Sequence, residues 1–502
     1  MNRQGAKRRH GLPALFLALL VTAPALAGTQ IEDVDRETFS FGSMAIGQAK
    51  DVDYARAEGL GLVPAPQLDL YLNGVLAKLL AQSPVQNVPA KVYVRASGDW
   101  AAKSTADANI YVTLGTLLRL DNEDEVAALL AHEASHVILG HANADVVQGL
   151  QQRAIQLSAL AATAQGMLTG DEKAAAAQHQ MAKDTGIDHQ ARVLLLNSKL
   201  VTPAWTRGQE RDADRLGVDL LARAGYSPSA MASLLRKQQA VETARAADRQ
   251  TTTLDQQLGY DARGDVTEQT TAAAKKLGAG AGAGDVGELA GSALGSVLEW
   301  GSKKVDEAAR SHPKTDERIA EITEYVGEEY PDGTQTVQVE TWEAAKEADG
   351  TVDILENYIA AIEAKGKLTD GDATAARKLA KQSLGGPTRA HAYPNFVEAA
   401  VELSTGATDP ALKAYETAIA GPEPAGALYS EAAAVYLQSG KPDKAVQTLE
   451  GGWARFQQPP SLAVPLIRTY RLAGRRADAH RIAAECAARW PGMQEVCVAE
   501  TK

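Results

Sequence analysis

Apolar positions recur at helical spacing along most of this chain. Between about Ile31 and Leu80, residues Leu68, Leu70, Tyr71, Val75, Leu76, Leu79 and Leu80 fall at steps of three and four, as in amphipathic helices. The period then drops to two. Ala90 to Arg95 alternates in character and Asn109 to Thr113 is rich in β-branched and aromatic residues, so both predict strands. A long helix is predicted next, with Asn122 as N-cap, Glu125 placed as in a capping box, and Gly140 as its stop. The Ala- and Gln-rich stretch from Gln148 to about Gln190 predicts further helices. Another runs from about Thr206 to Ala224, ended by Gly225 and Pro228.

Beyond about Gly350 the pattern is helical throughout and acquires a period. Gly406, Gly440 and Gly474 are 34 residues apart, as are Ala411, Ala445 and Ala479, while Tyr436 recurs as Tyr470 and Phe456 as Trp490. This is the tetratricopeptide period, with Gly in the turn between paired helices and Ala where those helices approach. Such repeats stack into a solenoid with a concave face. The fold class expected is therefore mainly α with a small β-sheet, a first domain over about 28–340 and a repeat domain over 350–502. Within the first domain, residues 272–301 alternate Gly with small residues and read as a mobile loop. Gly282, Gly284 and Gly287 in it match a dinucleotide-binding spacing, but no buried strand precedes them, so that function is set aside.

The N-terminus changes the setting. Arg3, Lys7, Arg8 and Arg9 precede an apolar run from Leu12 to Leu26 that ends in small residues, the pattern of a signal peptide over 1–27. No later segment offers roughly 18 uninterrupted apolar residues, so no transmembrane span is expected. Export to the periplasm follows, and an oxidising compartment favours pairing of Cys486 with Cys497, the two cysteines of the chain. Removing the four basic leader residues from 51 basic against 63 acidic takes the net charge from −12 to −16. An acidic body argues against nucleic acid as a partner.

The chemistry concentrates in Ala131-His132-Glu133-Ala134-Ser135-His136. At 3.6 residues per turn, His132 and His136 share a helix face and can hold one ion, with Glu133 beside them as a general base. A catalytic zinc takes a third protein ligand and keeps one position open. Leu139 and Ala142 stand where the longer histidine motif would need Gly and His, and His141 reads as a helix-end residue. Glu210 and Asp214, four residues apart on the predicted later helix, supply carboxylates instead: Glu210 as the third ligand and Asp214 as acceptor from a ligating histidine.

These segments in order, from Ile110 to Leu118, Asn122 to Val137, Glu210 to Gly217 and Ala224 to Pro228, resemble the HtpX/BepA-type gluzincin metallopeptidases. Ser311-His312-Pro313 with Arg318 is similar to that family's later His-Pro element. The resemblance spans roughly Ile31 to Val326, and an exported catalytic domain followed by repeats resembles the BepA branch. It implies one Zn²⁺ per chain and endopeptidase action on misfolded or stalled envelope and outer-membrane proteins. The repeats would recruit unfolded substrate or the outer-membrane assembly machinery. His312 or Arg318 would donate to the oxyanion, or His312 would plug the metal. The strand from Asn109 is expected to be the sheet edge that holds an extended substrate. The rival reading is a chaperone-like interaction protein whose protease site is idle.

Overall fold

The computed structural model describes residues 29–42, 45–143, 207–251, 315–333, 338–490 and 493–501. The leader, the Ala- and Gln-rich stretch, the Gly-rich segment at 272–301 and His312 lie outside these residues.

Two helices open the described chain, α1 (Gln48–Glu58) and α2 (Pro66–Leu80). A sheet of three strands follows: β1 (Lys91–Arg95), β2 (Ala102–Ser104) and β3 (Asn109–Thr113). Its order is β1-β3-β2, with β1 parallel and β2 antiparallel to β3. Alternation sorts the side chains between two faces. Val92, Val94, Ile110 and Val112 join the main core with Leu68, Leu72 and Leu76 of α2, whereas Tyr93 and Tyr111 pack with Val52 and Ala55 of α1.

The Asn109 strand is not an edge, which corrects the sequence reading. It pairs on both sides and is buried at all five positions, while the edge beside it is β2. That strand lies within Trp100 to Ala108, where small and polar residues give no strand signal; it forms because β3 offers it a ladder.

A short helix α3 (Leu114–Leu117) leads to α4 (Glu123–Ile138), the helix of the histidine motif. Asn122 caps it by accepting from the Glu125 N–H at 2.9 Å. The reciprocal arm of the expected box goes one residue further out, with Glu125 accepting from the Asp121 N–H at 2.8 Å. The three acids of the first turn suit the positive end of the helix dipole and also gather distant segments. Glu123 accepts from Tyr71 and Tyr226, Asp124 from the backbone of Ser227 and Gln338, and Glu125 from Ser233. Gly140, at φ +64°, lets the chain turn left-handed just past the helix end.

Against α4 lie α5 (Arg207–Arg223) and α6 (Ala230–Thr251), and α7 (Thr315–Glu329) packs across them. Buried Asp219 of α5 accepts from Tyr325, Tyr330 and the Ile31 N–H, tying the N-terminal segment to α7.

Helix α8 (Val339–Glu347) returns to this core, where Trp342 stacks on Tyr71 and donates to the Leu120 carbonyl at 2.9 Å. The repeats are four antiparallel pairs. They are α9 (Thr351–Thr369) with α10 (Ala373–Ser383), and α11 (Ala392–Ser404) with α12 (Thr408–Ala420). Next come α13 (Gly426–Gln438) with α14 (Pro442–Arg455), and α15 (Pro460–Leu472) with α16 (Arg476–Arg489). Gly406, Gly440 and Gly474 take φ of +79°, +70° and +77° in the turns, and Ala411, Ala445 and Ala479 are buried behind them. The same period reappears in side-chain bonds, Tyr436 to Glu416 and Tyr470 to Glu450. The first pair repeats this turn with Gly371 and Ala376, one residue out of register, which hid it from the sequence. A Cys486–Cys497 disulfide ties α16 to the closing helix α17 (Gln494–Ala499).

The stack docks on the first domain through α1. Arg56 holds Glu423 with two bonds of 2.5 and 3.0 Å, and Ser461 donates to the Ala57 carbonyl. Among the described residues no helix is long and apolar enough to cross a membrane.

Candidate metal centre

The donors converge where α4 crosses α5. His132 and His136 stand one turn apart, Glu210 comes from the first turn of α5, and one ligand atom from each lies within 4.8 Å of the others. Gly217 permits the crossing: a Cβ there would stand 2.6 Å from Met231 Cε and 3.4 Å from the His132 backbone nitrogen. His136 and Glu210 are buried and His132 nearly so.

The donor spacing fits zinc. Bonds of about 2.0–2.2 Å in a tetrahedron place neighbouring donors roughly 3.3–3.6 Å apart. Here the Nε2 atoms of His132 and His136 are 3.2 Å apart, and His132 Nε2 lies 3.7 Å from Glu210 Oε2. The far side of each ring is engaged as well. His132 Nδ1 sits 2.9 Å from Asp214 Oδ1, an ion-pair contact bent from ideal hydrogen-bond geometry, and His136 Nδ1 sits 2.8 Å from His141 Nδ1. With Nδ1 as the protonated nitrogen in both ligating rings, the two Nε2 lone pairs face one point, an arrangement that a cation satisfies.

Electrostatics hold Asp214 charged and one imidazole neutral. For Asp214, burial pushes the carboxyl up, but the Arg318 guanidinium and His132 outweigh it and bring the group to about 2. Arg318 itself is buried. Burial opposes its charge, yet Asp214 and Glu210 hold it above the usual guanidinium range. All three of its nitrogens are engaged: Nε and Nη2 on Asp214 at 2.8 Å each, and Nη1 on Glu210 at 3.0 Å. Burial, and the cationic forms of His132, His141 and Arg318 beside it, draw His136 well below its ordinary value. For His132 burial acts the same way, but Asp214 and Glu210 reverse the sign and raise it.

Glu133 lies beside the donors without joining them. It is 5% exposed, and its buried Oε2 has no hydrogen-bond partner among the described residues. Burial lifts its carboxyl to about 7 against the pull of His132, with the Ser104 hydroxyl also favouring the charged form. Ser104 belongs to β2. In the antiparallel ladder residues 101, 103 and 105 face β3, so the main-chain groups of Ala102 and Ser104 face away from it, on the side where no further strand pairs among the described residues.

Of the residues singled out from sequence, the fold brings His132, Glu133, His136, Glu210, Asp214 and Arg318 together, and His312 lies outside the described residues. Two contacts were not anticipated. Arg318 braces Asp214 and Glu210, and His141 meets His136. The signal for His141 was Gly140: a left-handed residue at the helix end turns the following side chain back along the helix.

Two histidines of one helical turn, a glutamate from a second helix and a further glutamate beside them define the donor arrangement of the gluzincin metallopeptidases. The chain belongs to peptidase family M48, which matches it over residues 66–326, from the first residue of α2 into α7. It is similar to the Beta-barrel assembly-enhancing protease of Yersinia pestis, 27% identical over 238 residues, which are 45% of this chain and 46% of that protein. The protein of the same name from Escherichia coli (strain K12) is 27% identical over 219 residues, 43% of this chain and 42% of that one. Metalloprotease LoiP of Escherichia coli (strain K12) is 30% identical over 160 residues, 32% of this chain and 55% of that protein. The chain thus spans about half the length, or less, of the curated relatives it matches.

Proposed function

We propose that this protein is a zinc-dependent endopeptidase of the bacterial periplasm that cleaves misfolded or stalled envelope and outer-membrane proteins. The observation that carries the reading is the three-donor cluster of His132, His136 and Glu210, with the unsatisfied carboxylate of Glu133 at its side. His132 and His136 would hold the zinc through Nε2 and Glu210 through a carboxylate oxygen. When bound, zinc supplies Lewis-acid polarisation of a carbonyl and of water. Glu133 takes the proton of the attacking water and passes it to the departing amine. Asp214 fixes the His132 ring, and Arg318, with its three nitrogens already committed, orients Asp214 and Glu210. For His312 the proposal rests on the sequence resemblance: a plug on the metal or a donor to the oxyanion.

The outward main-chain groups of β2 suit an extended polypeptide added as a further strand, which selects unfolded conformation more than sequence. The β-barrel assembly role printed in two relatives' names favours outer-membrane proteins as substrates and their assembly machinery as a partner of the repeats. The leader pattern and the Cys486–Cys497 disulfide favour an oxidising, exported setting.

The test is digestion of an unfolded outer-membrane protein by the purified mature chain, with and without chelator. Cleavage that stops on chelation and returns with zinc is expected. Binding without cleavage by a zinc-loaded chain would favour the chaperone-like alternative.

A further inference from the structure

The metal-ligand role of His136 leaves a question of orientation that its own helix does not answer. An imidazole on a helix surface can rotate about its side-chain bonds, and a ligand ring is normally held by a hydrogen bond to its other nitrogen. For His132 that partner is Asp214, on α5. For His136 the atom in the equivalent place is Nδ1 of His141, at 2.8 Å, with the ring centroids 5.0 Å apart and the planes at 64°. We infer that His141 is a positioning residue, which accepts from His136 Nδ1–H and so aims Nε2 of that ring at the metal. The inference rests on the metal-centre reading above and deepens it.

The backbone explains how a residue only five positions on can do this. Five residues on an uninterrupted helix would place His141 well around from His136. Instead α4 ends at Ile138, Gly140 adopts φ +64°, and residues His141–Asn143 form a 3₁₀ turn that returns along the helix. Ala142 in that turn packs with Ala106, in the connection between β2 and β3, which anchors the turn beside the sheet edge. His141 is 8% exposed, so water does not compete freely for the bond. As acceptor, its Nδ1 is the ring nitrogen without the proton.

The test uses the full mature chain as wild type, His141→Ala and His141→Asn. The Asn oxygen lies close to the place of the imidazole Nδ1 and can accept the same bond, while Ala cannot. Zinc affinity is read by competition with a chromogenic chelator, and the ligand field by the visible spectrum of the cobalt-substituted protein, with circular dichroism as the check on folding. His141→Ala should weaken zinc binding about 10- to 100-fold and shift the cobalt spectrum. His141→Asn should stay within several-fold of wild type in affinity and keep its spectrum. Wild-type affinity and spectrum in folded His141→Ala would overturn the inference while leaving the metal centre standing. Equal losses in folded Ala and Asn variants would overturn it too, since the hydrogen bond would then not be what matters. A wild-type chain that binds no zinc would bring down the metal-centre reading itself, and this inference with it.

Discussion

At the scale of single residues, the proposed roles separate groups that would bind from one that would react. Glu133 is placed beside the donors and not among them, so Glu133→Gln is expected to keep zinc and lose turnover by roughly 10²- to 10⁴-fold. Zinc content and peptide cleavage measured on the same sample decide it, and near wild-type cleavage with zinc retained would remove Glu133 from its role. Glu210 and Asp214 should separate in the same assay. Glu210→Ala is expected to empty the site under chelator. Asp214→Asn should weaken zinc by about 10- to 100-fold. The asparagine is preferred to alanine because it keeps the side-chain volume and one acceptor oxygen for buried Arg318, which donates two bonds to Asp214. Both variants remove a charged partner of buried Arg318, which costs about 3–5 kcal/mol, so circular dichroism on the same samples separates lost affinity from lost folding. Full occupancy in Glu210→Ala would place the third ligand elsewhere.

Among the helices, the stack carries a buried acid that makes its stability depend on pH. Glu431 of α13 is 1% exposed, and one oxygen accepts from Tyr415 of α12 at 2.8 Å. Burial lifts its carboxyl to about 8, with Tyr415 and Lys365 pulling the other way. The folded state therefore keeps a proton that the unfolded chain releases near pH 4.5, its ordinary value. The sign follows: stability from this group is complete below about pH 4.5 and is lost as pH rises through 8. Thermal melts should show the repeats melting several degrees lower at pH 8 than at pH 5.5, and Glu431→Gln should flatten that difference. A variant with an unchanged pH slope would assign the dependence to other groups. The Tyr436–Glu416 and Tyr470–Glu450 bonds belong to the same level, since the repeat turns place each pair alike.

For the whole molecule, the repeats and the catalytic domain share a core. Buried residues from α2, α4, α9 and α13 belong to one continuous cluster. Gly426 at the start of α13 lies so close to α1 that a Cβ would stand 2.0 Å from the Ala57 carbonyl oxygen. Gly426→Ala is thus expected to pry the repeats from α1, at a cost of about 1–3 kcal/mol. Limited proteolysis should then cut between the domains faster than in wild type, with zinc content unchanged. Equal proteolysis rates would mean that the α1 contact does not hold the two parts together.

The sequence by itself determined what depends on neighbours along the chain. Spacing four residues apart set His132 with His136 and Glu210 with Asp214 on their helix faces, Asn122 and Gly140 marked the ends of α4, and the 34-residue period of Gly and Ala laid out the later repeats. Each is a local rule in which residue type and helix geometry suffice. Tertiary structure decided what depends on partners distant in sequence. The strand β2 exists because β3 pairs with it, so Asn109 moved from the edge to the centre. Arg318 became a brace because α7 crosses α5 at Asp214 and Glu210. The catalytic and repeat portions joined because Gly426 and Arg56 allow α13 and α1 to touch. No periodicity encodes such crossings, since they follow from which faces remain to be buried once the elements have formed.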